Sequence, residues 1–112
     1  METTNTTPMR KKTVRPDAPY RPDFIERLRN REYAAAYLQS VMEEGDTQLL
    51  LATLRDLAEA YGGMSAVAKK ARLNRTHFYR MLSSEGNPTV QNLDTVLKAM
   101  GLRLAVVPAG AA

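Results

Sequence analysis

The segment Asn74 to Arg80 reads Asn-Arg-Thr-His-Phe-Tyr-Arg and contains no acidic residue. Arginine presents a planar fork of donors that bonds bidentately to guanine O6 and N7, and threonine bonds a base edge or meets a thymine methyl. In a helix with Phe78 turned inward, Arg75, Thr76, His77, Tyr79 and Arg80 point outward. Asn74, at the helix start, can cap the backbone and also reach a phosphate. Upstream, Lys69 and Lys70 are placed for a phosphate backbone, and Ser65 with the amides that follow it offers an anion site. The chemistry of this set is recognition of duplex DNA, which needs neither a metal nor a nucleophile.

Plainer roles stand beside these. His77 is the single histidine, and it reads as a polar surface residue or phosphate donor because nothing near it completes a metal site or a catalytic triad. Tyr79 either covers the edge of the core or touches DNA. Tyr33 and Tyr37 read as core, and the methionines as fillers. There is no Gly-rich phosphate loop, no nucleophile beside a base and no paired carboxylate in a pocket-like context. No catalytic, cofactor or metal site is expected, and no enzyme.

The net charge of +4 over 112 residues is modest, but its distribution is uneven. Residues 64–82 hold Lys69, Lys70, Arg72, Arg75 and Arg80 and no acid, whereas residues 23–46 hold Asp23, Glu26, Glu32, Glu43, Glu44 and Asp46 against three arginines. A solvated basic face is the ordinary alternative to a binding face, so the fold of the segment has to decide. The length allows one domain with one modest core. A hydrophobic content of 44% and a charged content of 25% are ordinary for a globular chain. The absence of cysteine excludes disulfides and thiolate metal sites and fits a reducing compartment. The longest apolar runs fall short of a membrane span, and no apolar run follows the basic start as in a secretory signal. A cytoplasmic location with no membrane partner is expected.

These side chains need helices to hold them. Residues 1–22 are rich in Thr and Pro with little to bury, and read as a flexible, disordered basic tail. Asp23 to Arg29 reads as a short helical turn. Asn30 caps a helix over Arg31 to Glu44, with Tyr33, Ala34, Tyr37, Leu38, Val41 and Met42 on one face and Gly45 as its stop. Asp46 caps the next, with Leu49, Leu50, Leu54, Leu57, Ala58 and Tyr61 inward up to Gly62-Gly63. Ser65 caps a short helix ending near Arg72, and Asn74 caps another over Arg75 to Leu82. Thr89 caps the last, with Val90, Leu93, Val96, Leu97 and Met100 inward, and Gly101 closes it. Leu102 to Val107 alternates and stops before Pro108, which reads as a strand. A lone strand needs a partner from a second copy, from another protein, or from the tail around Thr13 to Arg15; a second copy is expected.

Ser65 to Leu82 has the length and cadence of a DNA-binding helix-turn-helix, whose second helix enters the major groove. Val67, Ala71 and Leu73 would point inward from the first helix and turn, and Phe78 with Met81 or Leu82 from the second. Ala68 sits where the helices cross. The turn position at Arg72 normally prefers Gly because its φ tends to be positive, and Arg there costs on the order of 1 kcal/mol. A phosphate contact by Arg72 would account for the strain.

The pieces "YLQSVMEEGD", "AYGGMSAVAKKA", "LNRTHFYRMLSSEGNPT" and "LDTVLKAMGLRL", in this order, resemble the addiction-module antidote family, HigA-like antitoxins of the Xre-type helix-turn-helix class. The resemblance covers Asp23 to Pro108, and Arg72, where that family usually has Gly, is its clearest departure. It implies an all-α, five-helix, lambda-repressor-like helix-turn-helix domain over 23–108, here with a short C-terminal β-strand, the disordered N-terminal tail and a C-terminal tail over 109–112. It further implies an antitoxin of a type II toxin-antitoxin module, neutralising a RelE/HigB-like ribonuclease toxin and repressing its own operon as a homodimer on duplex DNA. Carried onto this chain, groove reading falls on Arg75, Thr76 and Arg80, and phosphate contacts on Asn74, His77, Ser65 and Asn87. A basic toxin would be drawn to the acidic stretch through Glu26, Glu32, Glu43 and Glu44. A stand-alone phage-type regulator without a toxin and a pure protein-interaction module are the competing readings.

Overall fold

The computed structural model describes residues 21–110; the tail and its Thr13 to Arg15 segment lie outside them, apart from its last two residues. The described chain is mostly helical, with six helices and no strand among the described residues. The first is α1 (Arg21–Leu28), a full helix in place of the expected short turn, which makes six helices of the expected five. It begins at Arg21 because Pro22 suits a first helical turn and because the Arg21 guanidinium bonds Asp56 at 2.8 Å and Glu59 at 2.5 Å. Burial raises the Asp56 carboxyl even though Arg21 bonds it, so this pair positions α1 more than it stabilises the fold.

Helix α2 (Arg31–Glu44) starts at Asn30, whose side chain accepts from the Tyr33 N–H, and ends at Gly45 with φ +77°. Its buried stripe is Ala34, Leu38 and Val41. Tyr33 and Met42, expected inward, are exposed: the stripe that meets α3 is narrower than the apolar run in the sequence. Tyr33 instead stacks on half-buried Tyr37, which meets Phe24 edge-on with ring centroids 4.9 Å apart. Burial, with the nearby Asp56 charge, pushes the Tyr37 phenol up to about 12.

Helix α3 (Thr47–Ala60), capped by Asp46, is the centre of the core. It touches α1, α2 and α4 (Met64–Lys70), so its buried surface exceeds one stripe. Leu51, Leu54, Leu57 and Ala58 are fully buried, whereas Leu49 and Leu50 are only partly so. The buried Thr53 hydroxyl donates to the Leu49 carbonyl at 2.7 Å.

Helix α4 starts after Gly63 without a side-chain cap; Ser65 stands inside its first turn, not at the cap. It ends at Lys70, and Ala71 to Asn74 connects it to α5 (Arg75–Met81). Val67 and Ala68 from α4, Ala71 from the turn, and Phe78, Met81 and Leu82 from α5 and its end are all buried, with Leu73 packed against them. Helix α6 (Val90–Ala99), capped by Thr89, buries Val96 and Leu97, with Met100 just past its end. Val90 is 75% exposed, contrary to expectation, because the first turn of α6 precedes its contact with the core.

After α6 the expected strand is absent: Leu102 to Val107 carries no strand ladder, since no second strand exists among the described residues to pair with it. Its alternation survives in burial alone, with Leu102 and Leu104 packed on the core and Arg103 and Ala105 exposed.

Phe78 is fully buried and joins α5 to the rest of the core. Phe78→Ala is expected to lower stability by about 3–5 kcal/mol, read from urea unfolding with an unchanged m-value. A loss below about 1 kcal/mol would mean that α5 is held by something else.

Candidate nucleic-acid interface

With Phe78, Met81 and Leu82 turned inward, the helical period turns Thr76 and Arg80 most directly outward. Arg75 and Tyr79 flank them on one side and His77 on the other, and all five are exposed. The Asn74 side-chain oxygen accepts from the His77 N–H at 2.9 Å, which starts α5 and leaves the Asn74 amide nitrogen free to donate outward.

The two flanks differ. On one, the Arg75 guanidinium lies 5.6 Å from the centroid of the Tyr79 ring, a cation–π contact across one helical turn. The Tyr79 hydroxyl approaches the Ser65 hydroxyl at 3.5 Å, the outer limit of a hydrogen bond, and so links the first turn of α4 to α5. That bond, with help from Arg75, draws the Tyr79 phenol below its ordinary value. On the other flank His77, Arg80, Asn87 and Asn92 line a cavity of about 230 Å³. The loop from Ser83 to Pro88 is held there by three ties. The Arg55 guanidinium donates to the Leu82 carbonyl and Gln48 donates to the Ser84 carbonyl. Gly86 lies so close to the Met81 carbonyl that a Cβ would sit 1.9 Å from its oxygen.

The turn before α5 is a complete Schellman closure. The Arg72 N–H donates to the Lys69 carbonyl at 3.0 Å and the Leu73 N–H to the Ala68 carbonyl at 2.9 Å, with Arg72 at φ +60° between them. The same six-to-one bond closes α3, from the Gly63 N–H to the Ala58 carbonyl, and α6, from the Leu102 N–H to the Leu97 carbonyl. In those two the left-handed position is Gly62 or Gly101. Arg72 is the one non-glycine residue with positive φ among those described.

The structure therefore brings Ser65, Asn74, Arg75, Thr76, His77, Tyr79, Arg80 and Asn87 around one short helix. Lys69 and Lys70 occupy the last turn of α4 and Arg72 the connection. None of the five cations forms an ion pair with a described acidic residue. Glu85 lines the same cavity as His77 and Arg80, but the exposed cations outnumber it, and such an excess attracts polyanions. Sequence reading missed the coupling of Ser65 to Tyr79 and Arg75, although the four-residue spacing of Arg75 and Tyr79 signalled its second half. It also missed Asn92, whose place beside His77 depends on how α6 returns to α5. Among the described residues no cluster of side chains is arranged to hold a metal ion, and no helix is long and apolar enough to cross a membrane.

A family model described as probable addiction module antidote protein matches residues 20–108. An uncharacterised protein of Haemophilus influenzae is 36% identical over 84 residues, which cover 75% of this chain and 86% of that relative. No solved structure matches this chain.

Arg72→Gly is expected to raise stability by up to about 1 kcal/mol, since glycine reaches positive φ without a Cβ clash. A thermal melt reads this as a rise of a few degrees. A clear fall in the melting temperature would contradict the left-handed closure.

Proposed function

This chain belongs to the probable addiction module antidote family, and on that premise we propose that it is the antitoxin of a type II toxin-antitoxin module. In this reading it neutralises a RelE/HigB-like ribonuclease and, as a homodimer, represses its own operon by binding operator DNA. Helices α4 and α5 act as an Xre-type helix-turn-helix. Arg75, Thr76 and Arg80 read base edges in the major groove, with Tyr79 beside them. Ser65, Lys69, Lys70, Arg72, Asn74, His77 and Asn87 hold the phosphates on either side.

The observation that carries the DNA half is the outward face of α5, with exposed arginines, no paired acid, and a second tier of cations on α4 and its turn. It also accounts for the strain at Arg72, where a positive charge replaces the glycine used at the two equivalent closures. The antitoxin half rests on the family. Helices α1 and α2 support it with exposed Glu26, Glu32, Glu43 and Glu44, of which Glu26 pairs with Arg29 at 3.1 Å; the acidic excess of this stretch complements the basic face an RNA-cutting enzyme presents to RNA.

Arg75→Ala and Arg80→Ala are each expected to cost roughly 1–3 kcal/mol on the operator and to relax its sequence preference. Lys69→Ala should weaken all sequences alike, and wild-type affinity should fall with salt at a log-log slope of about 0.9 per neutralised phosphate. Titrations on operator and scrambled duplexes separate these outcomes; intact specific binding by both arginine variants would contradict the groove assignment.

For the toxin, co-expression with the neighbouring reading frame should restore growth, and reversing the charge at Glu26, Glu32 and Glu44 together should weaken protection. Deleting α1 and α2 is a poor test, because Phe24, Leu28 and Leu38 belong to the core. If the intact protein neither rescues growth nor co-purifies with the neighbour's product, a stand-alone regulator replaces the antitoxin reading.

A further inference from the structure

Arg75 is held differently from the arginines that the fold uses. Arg21 donates to Asp56 and Glu59, Arg29 pairs with Glu26, and the Arg55 guanidinium donates to the Leu82 carbonyl. Each of these directs its donors at an acceptor of its own chain. Arg75 pairs with no described acid and lies instead over the Tyr79 ring, 5.6 Å from its centroid.

That ring is itself tied to a second helix. Tyr79 is 41% exposed, yet its hydroxyl approaches that of Ser65 in the first turn of α4 at 3.5 Å. One side chain of α5 therefore touches α4 at its hydroxyl end and carries a guanidinium on its face. The phenol is drawn down by Ser65 and then by Arg75, in agreement with both contacts.

The helical spacing explains why a ring stands at this place. Residues four apart are neighbours on a helix surface. A carboxylate at position 79 would also hold the guanidinium, but it would offset the charge that draws a phosphate and set an anion against the duplex. A phenol ring attracts the cation through its quadrupole and adds no net charge. It also requires no N–H, so the fork keeps its donors for guanine O6 and N7.

We infer that Tyr79 is a positioning residue for groove reading: its ring, linked to α4 through Ser65, holds the Arg75 guanidinium in place before DNA arrives. The inference rests on the DNA reading proposed above and gives Tyr79 a part in its base specificity. An arginine without such a hold samples many rotamers and has to be ordered on binding, which lowers affinity. Arg80 is the internal contrast. No described ring lies under its guanidinium, so its contribution is independent of Tyr79.

A double-variant cycle on the full chain tests this, with a duplex taken from upstream of its own reading frame and a scrambled duplex as control. Tyr79→Leu should weaken specific binding about two- to fivefold, the range of one exposed cation–π contact. In an Arg75→Ala background the same change should cost nothing further. Tyr79→Phe, which keeps the ring, should recover most of the loss. Base preference should relax at the position that Arg75→Ala relaxes and hold at the position that Arg80→Ala relaxes. In the free protein, the Arg75 side-chain resonances should carry a ring-current shift that Tyr79→Leu removes and Tyr79→Phe keeps. Thermal melts check the fold of each variant.

A Tyr79→Leu loss that persists in the Arg75→Ala background, is equal on the scrambled duplex, or is shared in full by Tyr79→Phe means that Tyr79 meets DNA itself. That result overturns the positioning role and leaves the helix-turn-helix standing. Unchanged binding by Tyr79→Leu, while Arg75→Ala still loses specificity, has the same consequence. Wild type without specific binding, or specific binding that survives Arg75→Ala, overturns the groove assignment of Arg75 and the inference with it.

Discussion

Two turns of helix do not persist in water, because nucleation consumes most of what two turns of hydrogen bonds return. Helix α5 has seven residues, so its outward face exists only while Phe78, Met81 and Leu82 are held in the core. The rest of the molecule can be understood as the means of holding them. Helix α4 packs directly on α5 with Val67 and Ala68 buried, Asn74 caps the His77 N–H, and Arg55 and Gln48 of α3 fasten the chain as it leaves α5. Rigid support of this kind lets outward side chains keep a fixed spacing, which readout of base edges requires.

The closure at Arg72 shows where stability gives way to another demand. Three helices of this chain end in the same hydrogen-bonded motif, and two of them place glycine at the left-handed position. The third carries a cation there, at a conformational cost on the order of 1 kcal/mol. Nothing in the packing of the described residues requires Arg at that point, since its side chain is exposed and pairs with no described acid. The proposed phosphate contact gives the residue a reason to be there.

Much of the fold was legible because its signals are local. Asn30, Asp46, Asn74 and Thr89 announce four helix starts, Gly45 and Gly101 two ends, and Arg72 its own unusual φ. What escaped depends on more than one element. Leu51 is buried because α3 is enclosed on several sides, which a one-stripe pattern does not express, while Tyr33 and Val90 are exposed because their neighbours stop short of them. Ser65 carries the residue type of a cap, yet Gly63 takes that place. Leu102 to Val107 has the alternation of a strand, but a ladder needs a second strand and periodicity cannot supply one. In the candidate site the α5 residues could be read directly, whereas the Ser65–Tyr79 link and the place of Asn92 follow only from how α4 and α6 pack.

In the proposed function, duplex DNA is bound by the outward face of α5 and its flanks. Following backbone amide resonances of the labelled protein while operator duplex is added tests it most directly. Shifts are expected to concentrate at Ser65, in the connection through Arg72, along Asn74 to Arg80 and at Asn87, with α1 and α2 almost unmoved. Shifts centred on α1 and α2, or none at a duplex concentration that saturates binding by other means, would contradict it.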